Sequence, residues 1–186
     1  AGDEKIIREF AVLEAFRDQT ELPVPEPLFL DETSQYTPGT ALVMSRIPGA
    51  VMHQCYGLLN YGQRRRITEE IAEHLALLHN TRATGFGGVE LAQEDRHERW
   101  ADFWLPRFDH VLEEVAAAGV APPRLIDGAR TVRPHLARLL EIGTESTMTH
   151  YDVWSGNVMI DLDSDPPRVS GYIDVPGFYA DYAREL

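Results

Sequence analysis

The chain has 186 residues, 44% of them hydrophobic and 25% charged, with a net charge of −13: enough for one sizeable core, and too acidic to favour nucleic acid or an anionic membrane surface. No run of eighteen apolar residues offers a membrane span, and no basic-then-apolar leader is read at the start. Cys55 is the single cysteine; it excludes an internal disulfide, fits a reducing cytoplasm, and reads as a small buried hydrophobe.

In chain order, Ile6, Phe10, Leu13 and Phe16 recur at helical spacing and predict a helix over 3–18. Glu9 lies on the rim of that apolar face, where an acid needs a partner; an i,i+4 pair with Lys5, the only lysine, is the local alternative. Leu22-Pro23-Val24-Pro25-Glu26-Pro27 forces extended backbone. Strands are expected at 28–30 and 41–44, with a polar turn over 31–39 between them. Pro48-Gly49 reads as a turn, with His53 in a loop beyond it. Ile67, Ile71, Leu75 and Leu78 form one apolar stripe on a long helix that ends at Leu78-His79-Asn80, where His79 caps or packs.

The glycines of Thr84-Gly85-Phe86-Gly87-Gly88 follow a helix and lack phosphate-cradle spacing, so the stretch reads as a plain loop. A helix is expected over 95–119, with Trp100, Phe103, Trp104, Phe108, Val111 and Val115 along one side. That aromatic stripe is core first, with one edge available to a substrate pocket. After Pro122-Pro123, Leu125, Ala129, Val132, Leu136 and Leu139 predict a further helix ending near Gly143. His97, His110 and His135 sit at exposed-looking helical positions. No His/Cys cluster has zinc spacing, and no repeat or low-complexity tract is visible.

The most informative stretch is Thr147-Met148-Thr149-His150-Tyr151-Asp152-Val153-Trp154-Ser155-Gly156-Asn157-Val158-Met159-Ile160, followed after a polar turn by Val169-Ser170-Gly171-Tyr172-Ile173-Asp174-Val175-Pro176-Gly177. A short strand leads into a polar loop; a hairpin follows, its second strand ending in Asp174. Asp152 and Asn157 precede the hairpin and Asp174 closes it, so all three oxygen-bearing side chains gather at one end. Phosphoryl transfer needs such a set: one carboxylate to take the proton of the attacking hydroxyl, and a carboxamide and a second carboxylate to hold magnesium against ATP. His150, Asp152 and Asn157 stand at the His-x-Asp-x-x-x-x-Asn spacing of kinase catalytic loops, and Asp174 and Gly177 give a looser Asp-x-x-Gly.

His150-Tyr151-Asp152-Val153-Trp154-Ser155-Gly156-Asn157 resembles the His-Gly-Asp-Leu-Trp-Ser-Gly-Asn loop of fructosamine kinases, relatives of the aminoglycoside phosphotransferases and choline kinases. Tyr151 replaces the usual glycine. The resemblance implies an α+β, protein-kinase-like fold: residues 1–47 as a remnant of the nucleotide-binding lobe, a hinge at 45–49, and 48–186 as a mostly helical catalytic and substrate lobe, cut short.

It also implies Asp152 as the base, Asn157 and Asp174 as magnesium ligands, and His150 as an internal brace. Met44 would sit behind adenine, the backbone of Ser45 and Ile47 would bind it, and Glu9 would pair with a phosphate-gripping lysine. Arg8-Glu9-Phe10-Ala11-Val12-Leu13 resembles the family's segment for that helix. A Gly-rich loop and a strand lysine would precede residue 1, and residues 178–186 would open a helix that continues beyond the chain.

The implied cofactors are ATP and Mg2+. The implied partner is a small hydroxylated acceptor, cationic if the acidic balance reflects it: an aminoglycoside, a ketosamine or a related amino sugar or amino-alcohol. Oligomeric state is not legible. Two rivals stand beside this reading. One is an impaired kinase fold that only binds nucleotide or protein. The other is a metal-dependent phosphoesterase using His150, Asp152 and Asp174, in which His150 and Asp152 must both face the metal.

Overall fold

Helix α1 (Gly2–Gln19) carries Asp3 and Glu4 in its first turn and Arg17 in its last, the signs favoured at the two ends of a helix. Its apolar stripe buries Val12, Leu13 and Phe16. The computed structural model describes residues 2–140 and 145–185. After the proline-rich stretch, β1 (Pro27–Asp31) and β2 (Ala41–Met44) pair antiparallel, with Asp31 opposite Ala41. The Asp31 carboxylate closes the intervening turn by accepting from the Thr33 amide at 2.8 Å and from the Thr33 hydroxyl.

The chain then forms β3 (Ala50–Val51), a single helical turn α2 (Met52–Cys55), and the long helix α3 (Tyr61–His79). His53 is therefore helical, and not in a loop as expected. A reciprocal cap starts α3: the Asn60 side chain accepts from the Gln63 amide, and the Gln63 side chain accepts from the Asn60 amide. Ile67, Leu75 and Leu78 of the expected stripe are buried, and Ile71 packs against the same cluster. Cys55 is buried as read, and burial pushes its thiol pKa up.

Beyond β4 (Gly87–Gly88), helix α4 (Trp100–Ala118) begins five residues later than the sequence reading placed it. The cause is a two-way bridge between Phe86 and His97, with N–H···O distances of 2.7 and 2.8 Å, which holds the approach to α4 extended. His97 thus lies outside the helix. Gly119, in the left-handed conformation, stops α4 where expected. Helix α5 (Pro123–Leu139) packs against α4; its expected end near Gly143 lies outside the described residues.

The strands β5 (Thr147–Thr149), β6 (Val158–Asp161), β7 (Arg168–Tyr172) and β8 (Phe178–Ala180) complete the chain. They form two three-stranded sheets, ordered β3-β6-β7 and β4-β8-β5. Here the reading of 178–186 as an opening helix is wrong. Both backbone edges of Phe178–Ala180 are taken, by β4 and by β5, and among the described residues a single 3-10 turn follows, over Tyr182–Arg184. Helix α3 packs under β5 and β7, and one cluster joins α1, α3 and the strands through Phe16, Ile67, Leu78, Met148, Ile160 and Tyr172. A second, aromatic cluster forms around Phe86, Trp100 and Phe103. Among the described residues, no helix is long and apolar enough to cross a membrane.

Candidate active site

The loop between β5 and β6 is anchored before it presents any functional group. Thr149 pairs with Phe178 across the sheet, and the His150 carbonyl accepts from the Gly177 amide at 3.2 Å. Tyr151 then takes a left-handed φ of 79°, uncommon for a residue with a side chain. The Tyr151 amide donates to Glu185 Oε1 at 2.7 Å, while Glu185 Oε2 meets His79 Nε2 at 2.6 Å. The Glu185 side chain is fully buried, so a carboxylate from the far end of the chain holds the strained residue just ahead of Asp152.

His150 is 0% exposed and lies edge-on to the Tyr172 ring. Its Nδ1 accepts from the Asp152 amide at 3.3 Å, which leaves the ring proton on Nε2. Burial lowers its pKa, outweighing Glu185, the Ile173 backbone, Asp152 and Asp174, which act in the opposite direction. The Asp152 side chain is exposed. Buried Asn157 fixes its direction: the Asn157 Nδ2 donates to Asp152 Oδ2 at 2.9 Å and to the Asp152 carbonyl at 3.0 Å. That leaves the carboxamide oxygen of Asn157 as the group's remaining donor of a lone pair.

β6 and β7 pair with Val158 opposite Tyr172 and a register shift between Met159 and Ile160, and the Ile173 amide donates to the Asn157 carbonyl at 2.9 Å. Asp174 comes next, two residues past the strand end, with a left-handed φ of 54°. The hairpin thus brings Asp152, Asn157 and Asp174 to one end, the gathering read from the sequence. Gly177 follows at φ 61°; a Cβ there would lie 2.6 Å from Val12 of α1. The donors fit a hard divalent cation: a carboxamide oxygen freed by the Asp152 bond, and an exposed carboxylate.

The other expected site residues lie at the edges of this centre. The Ser45 amide donates to the Glu26 carbonyl at 2.8 Å, whereas the Ser45 carbonyl and the Ile47 amide make no hydrogen bond among the described residues. Ile47 packs on Gly171 of β7, and Met44 packs against the main core cluster. Glu9 sits half-buried on α1, with no ion pair to Lys5 or any other described residue. Sequence reasoning missed Glu185. Thirty-four residues separate it from Tyr151, and a lone acid near a chain's end carries no spacing signal.

Residues 2–175 match the phosphotransferase enzyme family (APH), while no curated protein matches. Among solved structures, the gentamicin complex of APH(2")-IIa has a TM-score of 0.68 at 15% identity, covering 98% of this chain and 59% of that one. ADP-bound APH(2'')-Ib has a TM-score of 0.66 at 15% identity, over 98% and 60%. A thermostable mutant of APH(4)-Ia with AMP-PNP and hygromycin B has a TM-score of 0.66 at 20% identity, over 94% and 57%. The chain therefore spans less than two thirds of the length of these structures, and at such identities the likeness shows the fold: kinase-like, mixed helix and small sheets. By its sequence match and its fold, the chain belongs to the phosphotransferase enzyme family.

Proposed function

We propose that this chain belongs to an ATP-dependent phosphotransferase that moves the γ-phosphate to a hydroxyl of a small molecule. The observation that supports it best is the bond from Asn157 to Asp152, made at the hairpin end from which Asp174 emerges. Asp152 accepts the proton of the acceptor hydroxyl, and Asn157 keeps its carboxylate aimed. Asn157 and Asp174 would hold Mg2+, which would supply charge neutralisation at the phosphates. The Ser45 carbonyl and Ile47 amide take adenine, with Met44 behind it. Residues 1–47 belong to the nucleotide-binding lobe, where Glu9 positions a lysine. Aminoglycosides, ketosamines and related amino sugars or amino-alcohols are the first acceptors to try; solved neighbours hold gentamicin and hygromycin B.

His150 argues against the phosphoesterase alternative. A metal ligand needs an outward lone pair, whereas His150 is buried and spends Nδ1 on the Asp152 amide. The test is Asp152→Asn, assayed by ADP release with an acceptor panel. Turnover is expected to drop about a thousandfold, the range of a lost general base, with an unchanged melting temperature. Near-normal turnover in the variant removes Asp152 from the role.

A further inference from the structure

The catalytic loop has two flanks. On one, the His53 amide donates to the Ser155 carbonyl at 2.8 Å, and Ser170 Oγ donates to the Pro48 carbonyl at 2.6 Å. This flank faces the 45–49 segment assigned above to adenine. In-line transfer sets the attacking and leaving oxygens on opposite sides of the phosphorus. The acceptor then approaches from the other flank, where Tyr151, Phe178 and α4 lie. This inference rests on the phosphotransferase reading.

That second flank is an aromatic island ringed by guanidinium groups. The Tyr151 and Phe178 rings are 4.6 Å apart, and Phe103 and Phe178 5.4 Å apart. Arg107 stacks 3.7 Å over Phe103, Arg184 lies 4.9 Å over Tyr151, and Arg8 lies 5.1 Å over Phe178. Of the other arginines, Arg17, Arg65, Arg82, Arg130 and Arg133 each pair with a carboxylate, whereas Arg64 and Arg96 stack over Tyr56 and Tyr179 and bond backbone carbonyls, away from the catalytic loop.

On the island only Arg8 pairs with a carboxylate, Glu90 at 2.7 Å. Arg107 bonds the Phe103 carbonyl at 2.7 Å, and neither it nor Arg184 has a carboxylate partner among the described residues. Burial pushes the Arg107 pKa down, more than the nearby Tyr151 raises it, and the charge of Arg8 adds to the fall. A stacked guanidinium keeps its N–H edge free, and that edge matches the two oxygens of a carboxylate or phosphate. A polycation placed here would meet like charge, so of the acceptor classes named above the aminoglycosides fit this flank least.

We propose that the acceptor carries an anionic group, a carboxylate or phosphate, beside the hydroxyl it offers, and that Arg107 and Arg184 hold that group. The acceptor oxygen forms its new bond to the γ-phosphorus as the bond to the β-γ bridging oxygen breaks. The hydroxyl proton goes to Asp152, and ADP leaves.

The experiment measures ADP release by the full chain with matched probes: gluconate against sorbitol, ribose 5-phosphate against ribose, and kanamycin as the polycation. At least one anionic probe should exceed its neutral twin by about tenfold in kcat/KM, the scale of one charge-assisted bond. Which twin pair shows the effect separates carboxylate from phosphate. Arg184→Gln, at an exposed side chain, should abolish that preference through the acceptor KM and leave the nucleotide KM unchanged. Arg107→Lys should retain part of it.

Equal use of the twins, use of kanamycin alone, or a preference untouched by Arg184→Gln overturns the proposal. If no probe releases ADP, calorimetric titration of gluconate and ribose 5-phosphate into nucleotide-bound protein decides. Binding lost in Arg184→Gln sustains the anion site even as transfer fails, and no binding overturns it.

Discussion

Two antiparallel hairpins in this molecule have similar ladders and different surroundings. In β6–β7, Val158, Ile160, Val169 and Tyr172 are all buried, with β3 on one edge and α3 beneath. In β1–β2, Leu28, Phe29 and Val43 are about half exposed, at 57%, 49% and 49%, although α1 covers part of the pair. A two-stranded ladder alone gives little stability. The difference lies in bonds that arrive from distant elements. The loop leading into β6 is tied by Glu185, Gly177, His53 and Ile173; it carries the left-handed Tyr151, and Asp174 beyond β7 is left-handed too, whereas among non-glycine residues the β1–β2 turn has Ser34 alone. Strained backbone persists where its surroundings over-determine it.

The largest test removes one of those ties. Glu185→Ala leaves the His79 imidazole and the Tyr151 amide, both part-buried, without their shared partner. Losing an acceptor shared by two part-buried donors costs about 2 kcal/mol. Glu185→Gln keeps an acceptor for the amide and loses the charge, so its loss of stability should be clearly smaller. Urea unfolding measures both. Two variants that each cost less than about 1 kcal/mol would make the tie incidental and the contrast between the hairpins one of apolar burial alone.

A smaller effect comes from His150 and is confined to acid. Its folded-state pKa lies below the ordinary histidine value of 6.5 because burial disfavours the imidazolium. The unfolded chain therefore binds a proton that the folded chain refuses. The His150 contribution is complete above pH 6.5 and fades as pH falls from there through the lower folded-state value. Melting temperatures from pH 8 to pH 5 should decline more steeply in the wild type than in His150→Gln, which does not titrate. Parallel declines would place the acid sensitivity in other groups.

Much of this was legible in the residues, for reasons that differ by element. α1, α3 and β2 follow from apolar spacing, because each buries one face against one core. Asp152, Asn157 and Asp174 could be brought together because a hairpin needs only local chain reversal to do so. What failed depended on distant backbone. The start of α4 was displaced by the Phe86–His97 bridge, and 178–180 became a strand because β4 and β5 claim both its edges. The arginine island was invisible for the same reason: Arg8, Arg107 and Arg184 lie far apart in the sequence with no spacing signal, and only the packing of Phe103, Phe178 and Tyr151 assembles them.

The smallest expected effect is the sharpest check on the contrast between the hairpins. Val43→Thr on β2 replaces a methyl by a hydroxyl at a position half open to solvent. Water can hydrogen-bond the new hydroxyl and both residues favour strands, so stability should stay within about 0.5 kcal/mol of wild type. The same change at Val158, 1% exposed, would bury the hydroxyl among apolar side chains and require a partner there. A Val43 variant that unfolds as readily as the Val158 variant would mean that the exposed face of β1–β2 is covered in solution, and the ribbon would then belong with the buried half of the molecule.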